Sequence, residues 1–356
     1  MDEAATTPEA AASPVRANLA SVAALAGVSA STASLAFSGA GPVSASTKSR
    51  VLAAAAELNY AGPDPRGQSL RRGRSGIIGV VLEESVADAF RDAMNIATLD
   101  GIADAIGASG SALLLLTDNA DSPSSFRTVP LDAVVLIGCS TRLADAVHVF
   151  TQRGIPIVGV EVEPLPGVLA IDLDNREASR VLAEHLRELG HRDATMVTLP
   201  LDGAHTTGWL TREREARSEG YTASQRILGV RDVFTEAPGY VASASSVDAG
   251  YHAAFAVLAA TTPTAIVAQS DVLAVGVIRA AHERGLRVPQ DLSVVGFDGV
   301  RLDGVAPIDL TTMVQPAFDK GRAAGAGALA LLDGVTEHPR VFASDFHRGS
   351  TTAPPR

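Results

Sequence analysis

The chain has 356 residues, too many for one core of ordinary size; 46% are hydrophobic and only 4% aromatic, a composition that predicts a soluble α/β protein of two or three domains. A net charge of -11 excludes unspecific nucleic-acid affinity spread over the whole surface. The single cysteine, Cys139, excludes an internal disulfide, and no Cys/His cluster suggests a metal, so a reducing cytoplasm is expected.

Residues 1–17 are rich in Ala, Thr and Pro and lack both a basic start and an unbroken apolar core. They read as a disordered tail rather than a signal peptide. No apolar run approaches the roughly twenty residues of a membrane span, and no membrane partner is expected.

Residues 18–62 carry the strongest pattern. Leu19, Val22, Ala23 and Ala26 recur at helical spacing, and Gly27 supplies a sharp turn that tolerates positive φ. Ser29 then caps a second helix that buries Thr32, Ala33 and Ala36 and turns Ala30, Ser31, Ser34 and Leu35 outward. This is a helix-turn-helix, whose small outward side chains can lie flat in a DNA major groove. Ser44 caps a third helix, Ala45 to Asn59, with Lys48 and Arg50 in its first turns. Residues 63–75 are Pro/Gly-rich and basic, and read as a hinge. From Arg16 to Arg74 seven basic residues stand against Glu57 and Asp64, a balance of +5, which leaves -16 for the remainder. Only this segment has a phosphate-facing charge.

From Ile77 short apolar runs alternate with helical patterns: Ile77-Leu82, Ala89-Ile106, Ala112-Leu116, Ala133-Ile137, Leu143-Arg153, Pro156-Val160. A second series follows: Ala178-Leu189, Ala194-Thr198, one helix from about Thr211 to Leu228, Asp248-Ala260, Ala265-Ala268, Val272-Arg284, Leu292-Phe297 and Leu310-Val314. This βαβ logic predicts two parallel sheets, hence two lobes with a ligand cleft at the carboxyl ends of the strands. Glu161, Ser270, Asp271, Asp298 and Gln315 fall at strand exits, and Arg217 on an adjacent helix. Carboxylates, a guanidinium and an amide suit a polyhydroxy ligand; caps, turns and interlobe salt bridges use the same groups. Phe90 is a candidate stacking residue. The chain has no Gly-x-Ser-x-Gly elbow, Walker loop or strand-borne Gly-x-Gly-x-x-Gly, and no catalytic site or cofactor is expected.

The segments Val22-Ala23, Ala26-Gly27-Val28-Ser29, Thr32, Val43-Ser44, Thr47, Arg50-Val51, Glu57-Leu58-Asn59-Tyr60 and Ser69-Leu70-Arg71 resemble the lac-repressor/galactose-repressor (LacI/GalR) family of bacterial transcription regulators. The resemblance continues, more loosely, through Asp174-Asn175, Leu189-Gly190-His191, Asp291-Leu-Ser-Val-Val-Gly-Phe-Asp298, Gln315 and a closing strand at Ser350-Thr-Thr-Ala-Pro-Pro355. It implies a three-helix headpiece followed by a periplasmic-binding-protein-like core over 76–356. The first lobe would span about 76–173 and 317–344, the second about 174–316 and 345–356. The DNA-facing set it implies is Ser29, Ala30, Ser31, Thr32, Ser34, Leu35, Ser44, Thr47, Lys48, Ser69 and Leu70, with Leu70 wedged into the minor groove. The effector set is Phe90, Glu161, Arg217, Ser270, Asp271, Asp298 and Gln315. One departure stands out: Leu35 occupies a position where the family commonly has Arg.

The expected function is a non-enzymatic, homodimeric repressor of transcription. Its partners would be double-stranded operator DNA and a small carbohydrate- or nucleoside-like effector, with no metal. The chain stops at Arg356 with no apolar heptad tail, so a dimer rather than a tetramer is expected. The competing reading is a transporter's solute-binding protein, which shares the two-lobed fold but carries a signal peptide in place of a helix-turn-helix.

Overall fold

The computed structural model describes residues 17–39, 41–63, 69, 73–82, 89–117, 125–138, 143–300 and 308–356. The chain divides into two compact units, residues 1–75 and 76–356.

The first unit contains α1 (Leu19–Ala26), α2 (Ala30–Ser38) and α3 (Ala45–Glu57). Each starts at a polar cap: Asn18 accepts from the Ser21 amide at 3.0 Å, Ser29 from Thr32 at 3.1 Å and Ser44 from Thr47 at 3.2 Å. Gly27, at φ 65°, closes α1 in the left-handed conformation, and the chain bends by 102° into α2. Val22, Ala23, Ala26, Ala33, Ala36, Val51, Ala54 and Ala55 form the core, and the Phe37 and Tyr60 rings meet edge-on at 5.7 Å. Periodicity carries α3 to Asn59, but it ends at Glu57 because Asn59 turns to φ 49°. Thr32 is half-buried rather than buried, with its hydroxyl 2.8 Å from Ser29 Oγ, and Ser34 is half-buried rather than fully outward.

The second unit opens with β1 (Ile77–Leu82), α4 (Ala93–Gly107), β2 (Ala112–Thr117), α5 (Ser125–Thr128), β3 (Ala133–Ile137), α6 (Leu143–Gln152), β4 (Ile157–Val160) and β5 (Val168–Leu173). It continues with α7 (Asn175–Glu188), β6 (Thr195–Thr198), β7 (Gly208–Trp209), α8 (Arg212–Ala216), α9 (Tyr221–Arg231), β8 (Gly239–Val241), α10 (Val247–Ala260), β9 (Ala265–Ala268), α11 (Asp271–Glu283) and β10 (Ser293–Val295). It closes with β11 (Thr312–Val314), α12 (Ala317–Leu332), β12 (Arg340–Phe342) and β13 (Asp345–His347).

Two sheets result. The first, ordered β12-β5-β4-β3-β1-β2, is parallel throughout; the second, β10-β9-β6-β8-β7, is parallel except for β7. The inner strands β1, β3 and β4 are near-continuous Val/Ile/Leu runs, buried on both faces. Connections reverse around β1 in the first sheet and β6 in the second, the switch points at which such sheets open a crevice. The chain passes between the sheets three times, after β5, after β11 and after β12.

The structure departs from the sequence pattern in three ways. The helix predicted from Thr211 to Leu228 is two, α8 and α9, broken at Arg217–Gly220. Arg217 therefore caps α8 instead of riding inside a helix. The expected closing strand at 350–355 is instead a strap: Thr351 Oγ1 donates to Val294 O at 2.7 Å, while β13 pairs with β11. Finally β5, β12 and α12 have no counterpart in the apolar pattern; α12 is an Ala/Gly-rich helix packed on α4.

Candidate effector cleft and DNA-facing helix

The cleft lies at the carboxyl ends of both sheets, where the three chain crossings gather. Glu161 follows β4, Pro200 and Asp202 follow β6, Ser245 follows β8, Ser270 follows β9, and Asp298 follows β10. Asp92, Asn95 and Thr98 enter from the start of α4, where Asp92 accepts the Met94 amide at 2.7 Å as the helix cap. Glu219, Ala223 and Arg226 come from the second lobe's α9 region, and Gln315 and Lys320 flank the start of α12.

Six side chains at the floor close a ring. Arg226 Nε donates to Asn175 Oδ1 at 2.8 Å, and Asn175 Nδ2 donates to Glu161 Oε2 at 2.9 Å. Lys320 Nζ donates to Glu161 Oε1 and to Gln315 Oε1. Gln315 Nε2 donates to Asp298 Oδ1 at 2.7 Å, and Arg226 Nη1 returns to the same oxygen at 3.4 Å. Arg226 also donates to the Gln269 carbonyl and lies 3.6 Å over the Phe297 ring. Lys320 and Arg226 are 2% and 3% exposed, and these acceptors offset the cost of burying their charges.

The electrostatics follow from this packing. Burial raises the Asp298 carboxyl to about 8, with Asp271 pushing the same way and Arg226 opposing. Burial likewise raises Asp271 to about 6 against the hydrogen bond from Thr312. Burial acts to raise Glu161 too, but Lys320 and Arg226 outweigh it and hold that carboxyl below its ordinary value. Glu161 (φ 53°) and Asp298 (φ 117°) are both left-handed without being glycine, a conformation costly to hold and concentrated at functional sites.

Of the seven candidates read from the sequence, Glu161, Ser270, Asp298 and Gln315 line this cleft together. Arg217 lines an adjoining depression that shares Leu201, Asp202 and Glu219 with it. Asp271 is buried behind the lining, accepting from Thr312 Oγ1 at 2.6 Å and the Val300 amide at 2.8 Å; it braces the loop and does not face the cleft. Phe90 is 58% exposed and does not reach the described lining; Asp92, two residues on, does. The sequence reading missed Arg226, Lys320 and Asn175 in the ring and Asp92, Asp202 and Glu219 on the walls. Arg226 sits on the buried face Ala223-Ile227-Val230 and Lys320 on the face Ala317-Gly321-Ala324. A charge inside an apolar helical stripe was the available signal.

On the headpiece, Ser29, Ala30, Ser31 and Leu35 are exposed, as are Ser44 and Lys48, with Thr32, Ser34 and Thr47 half-buried. The hydroxyls cluster at the two caps: Ser29 Oγ lies 2.8 Å from both Ser31 Oγ and Thr32 Oγ1, and Ser44 Oγ lies 3.0 Å from Ser46 Oγ and 2.9 Å from Thr47 Oγ1. Ser69 is half-buried, and Leu70 lies outside the described residues.

Comparison with known proteins agrees with both regions. Residues 18–62 match the family described as bacterial regulatory proteins, lacI family, and residues 183–352 the periplasmic binding protein-like domain. The HTH-type transcriptional regulator IpsA of Corynebacterium glutamicum is 34% identical over 353 residues, covering 94% of this chain and 97% of its own. A crystal structure of a LacI-family transcriptional regulator, also from Corynebacterium glutamicum, superposes with a TM-score of 0.70 at 29% identity, covering 94% of this chain and 98% of that one. The lac repressor dimer bound to operator and the anti-inducer ONPF superposes with a TM-score of 0.76 at 24% identity, covering 95% of this chain and 100% of that one, a likeness of fold.

Proposed function

The chain belongs to the LacI family of bacterial transcriptional regulators, and from that premise we propose that it works as a homodimer in the cytoplasm, its operator affinity set by a polar, hydroxyl-rich effector, sugar- or nucleoside-like, held in the cleft. Ser29, Ala30, Ser31, Thr32, Ser34, Leu35, Ser44, Thr47 and Lys48 would face the DNA, with Ser69 and Leu70 in a hinge over residues 63–75. Glu161, Ser270, Asp298 and Gln315 would bind the effector directly, Arg217 from the adjoining depression, and Arg226 and Lys320 as positioners.

The observation that carries this reading is the floor ring. Its polar groups hydrogen-bond one another, and the carboxylates of Asp92, Asp202 and Glu219 at the walls add acceptors for ligand hydroxyls. A closed, self-satisfied floor binds and orients; it offers no activated nucleophile, and we read the cleft as a binding site rather than a catalytic one.

The mechanism is a population shift. Effector binding changes the spacing at which two first lobes present their headpieces, and DNA weakens effector binding by the factor that effector weakens DNA binding, about 5 to 150-fold. A thermal-shift screen of sugars and nucleosides identifies the effector. Asp298→Ala should then lower its affinity by about 1 to 3 kcal/mol, ten- to a hundredfold, while the unliganded protein still occupies its operator. Loss of operator binding together with a lower melting temperature would make Asp298 a structural residue only.

A further inference from the structure

The exposed face of α2 is unusual for a helix that reads bases. From Ala30 to Ser38 it holds no Arg, Lys, Asn, Gln, Asp or Glu, the side chains able to make paired hydrogen bonds to a base edge. Its hydroxyls are largely engaged at home: Ser29, Ser31 and Thr32 share the cap within 2.8 Å, and Ser38 Oγ donates to Leu35 O at 3.4 Å. The apolar members are Ala30 and Leu35, the latter 37% exposed. Leu35 lies beside Gly41, where an added Cβ would be 2.9 Å from Leu35 Cδ2, so this exposed apolar side chain packs against the loop after α2.

We infer that α2 reads thymine methyl groups through Leu35 and Ala30, so that the major-groove steps it covers in each operator half-site are A·T pairs and not the G·C pairs an arginine would select. The inference rests on the DNA-binding reading. Thymine's C5 methyl is the one apolar group on a major-groove base edge, and apolar contact is the form of readout this face can give. Burying one methyl discriminates by only about fourfold. Phosphate contacts from Lys48 and Arg50, both exposed on α3, therefore carry more of the affinity, and the operator tolerates more substitutions at these steps.

The test is selection from a randomised duplex library with the full-length protein, comparing wild type with Leu35→Arg and Leu35→Ala. The expected result is one step per half-site that is A·T for wild type and becomes G·C for Leu35→Arg. Leu35→Ala should flatten the preference at that same step by about fourfold and leave the other steps unchanged; being a truncation at a partly exposed helix position, it keeps the test available should the arginine variant not fold. A wild-type preference for G·C at the step that responds would overturn the inference, as would variants whose selected sites match wild type at every step. Recovery of no enriched sequence by the wild-type protein would sink the DNA-binding reading along with it.

Discussion

Asp298 holds its proton into the alkaline range because its carboxyl is buried beside a second acid, with Oδ1 already accepting from Gln315 and Arg226. The consequence for stability has a definite sign. In the unfolded chain the group titrates near 3.8, so between about pH 4 and 8 the folded state carries a proton that the unfolded state has released, and stability falls as pH rises through that window. Asp298→Asn removes the titration. The variant should gain in melting temperature relative to wild type on going from pH 5 to pH 9, and parallel curves for the two proteins would show that the carboxyl titrates normally. Glu161 acts in the opposite direction: its lowered value contributes stability at neutral pH that is lost in acid as the group protonates. Asp298 and Glu161 were legible in the sequence because both follow a strand, where open α/β sheets place their ligands. Arg226 was not, since an arginine in a helix reads as surface until the stripe it interrupts is recognised.

At the scale of elements, α4 and α12 approach until their backbones touch. A Cβ at Gly321 would lie 2.0 Å from Thr98 O, and one at Gly101 2.0 Å from Phe318 O. Gly321→Ala should therefore cost at least the about 1 to 3 kcal/mol typical of overpacking and lower the melting temperature of residues 76–356 by several degrees. An unchanged melt would mean that the helices separate freely. Lys320 precedes Gly321, so the same substitution should also weaken effector binding; a control at exposed Gly334, Gly334→Asn, should do neither. The headpiece helices were readable because each begins at a Ser or Asn cap and α1 ends at a glycine. What escaped was α12, whose small residues give no apolar period, and β5, whose half-buried Asp172 breaks the hydrophobic run. The break between α8 and α9 was also hidden. Gly220 packs with its Cα against Pro200 O, where an added Cβ would sit at 3.0 Å, and tertiary closeness of that kind leaves no periodic trace.

For the whole molecule the charge division decides behaviour. Residues 1–75 carry +2, with +5 over residues 16–74, and residues 76–356 carry -13, so DNA attracts one unit and is repelled by the other. Removal of residues 1–75 should abolish retention on heparin and on operator DNA while leaving effector affinity within a factor of about two. Retention of the truncated protein would place a second nucleic-acid surface on the larger unit. The βαβ alternation announced two sheets, yet the three chain passages between them became visible only once α12 and β12 were seen to return to the first sheet. Those passages give the six-membered ring its character. A loop of hydrogen bonds has no free end, and cutting any link leaves a buried donor and a buried acceptor apart. The cleft thus contains its own rival for every incoming molecule. A compound that captures Asp298 must satisfy Gln315 and Arg226 as well, or it forfeits what it gains, and the effector is chosen by how completely it can take over a circuit that the protein already closes by itself.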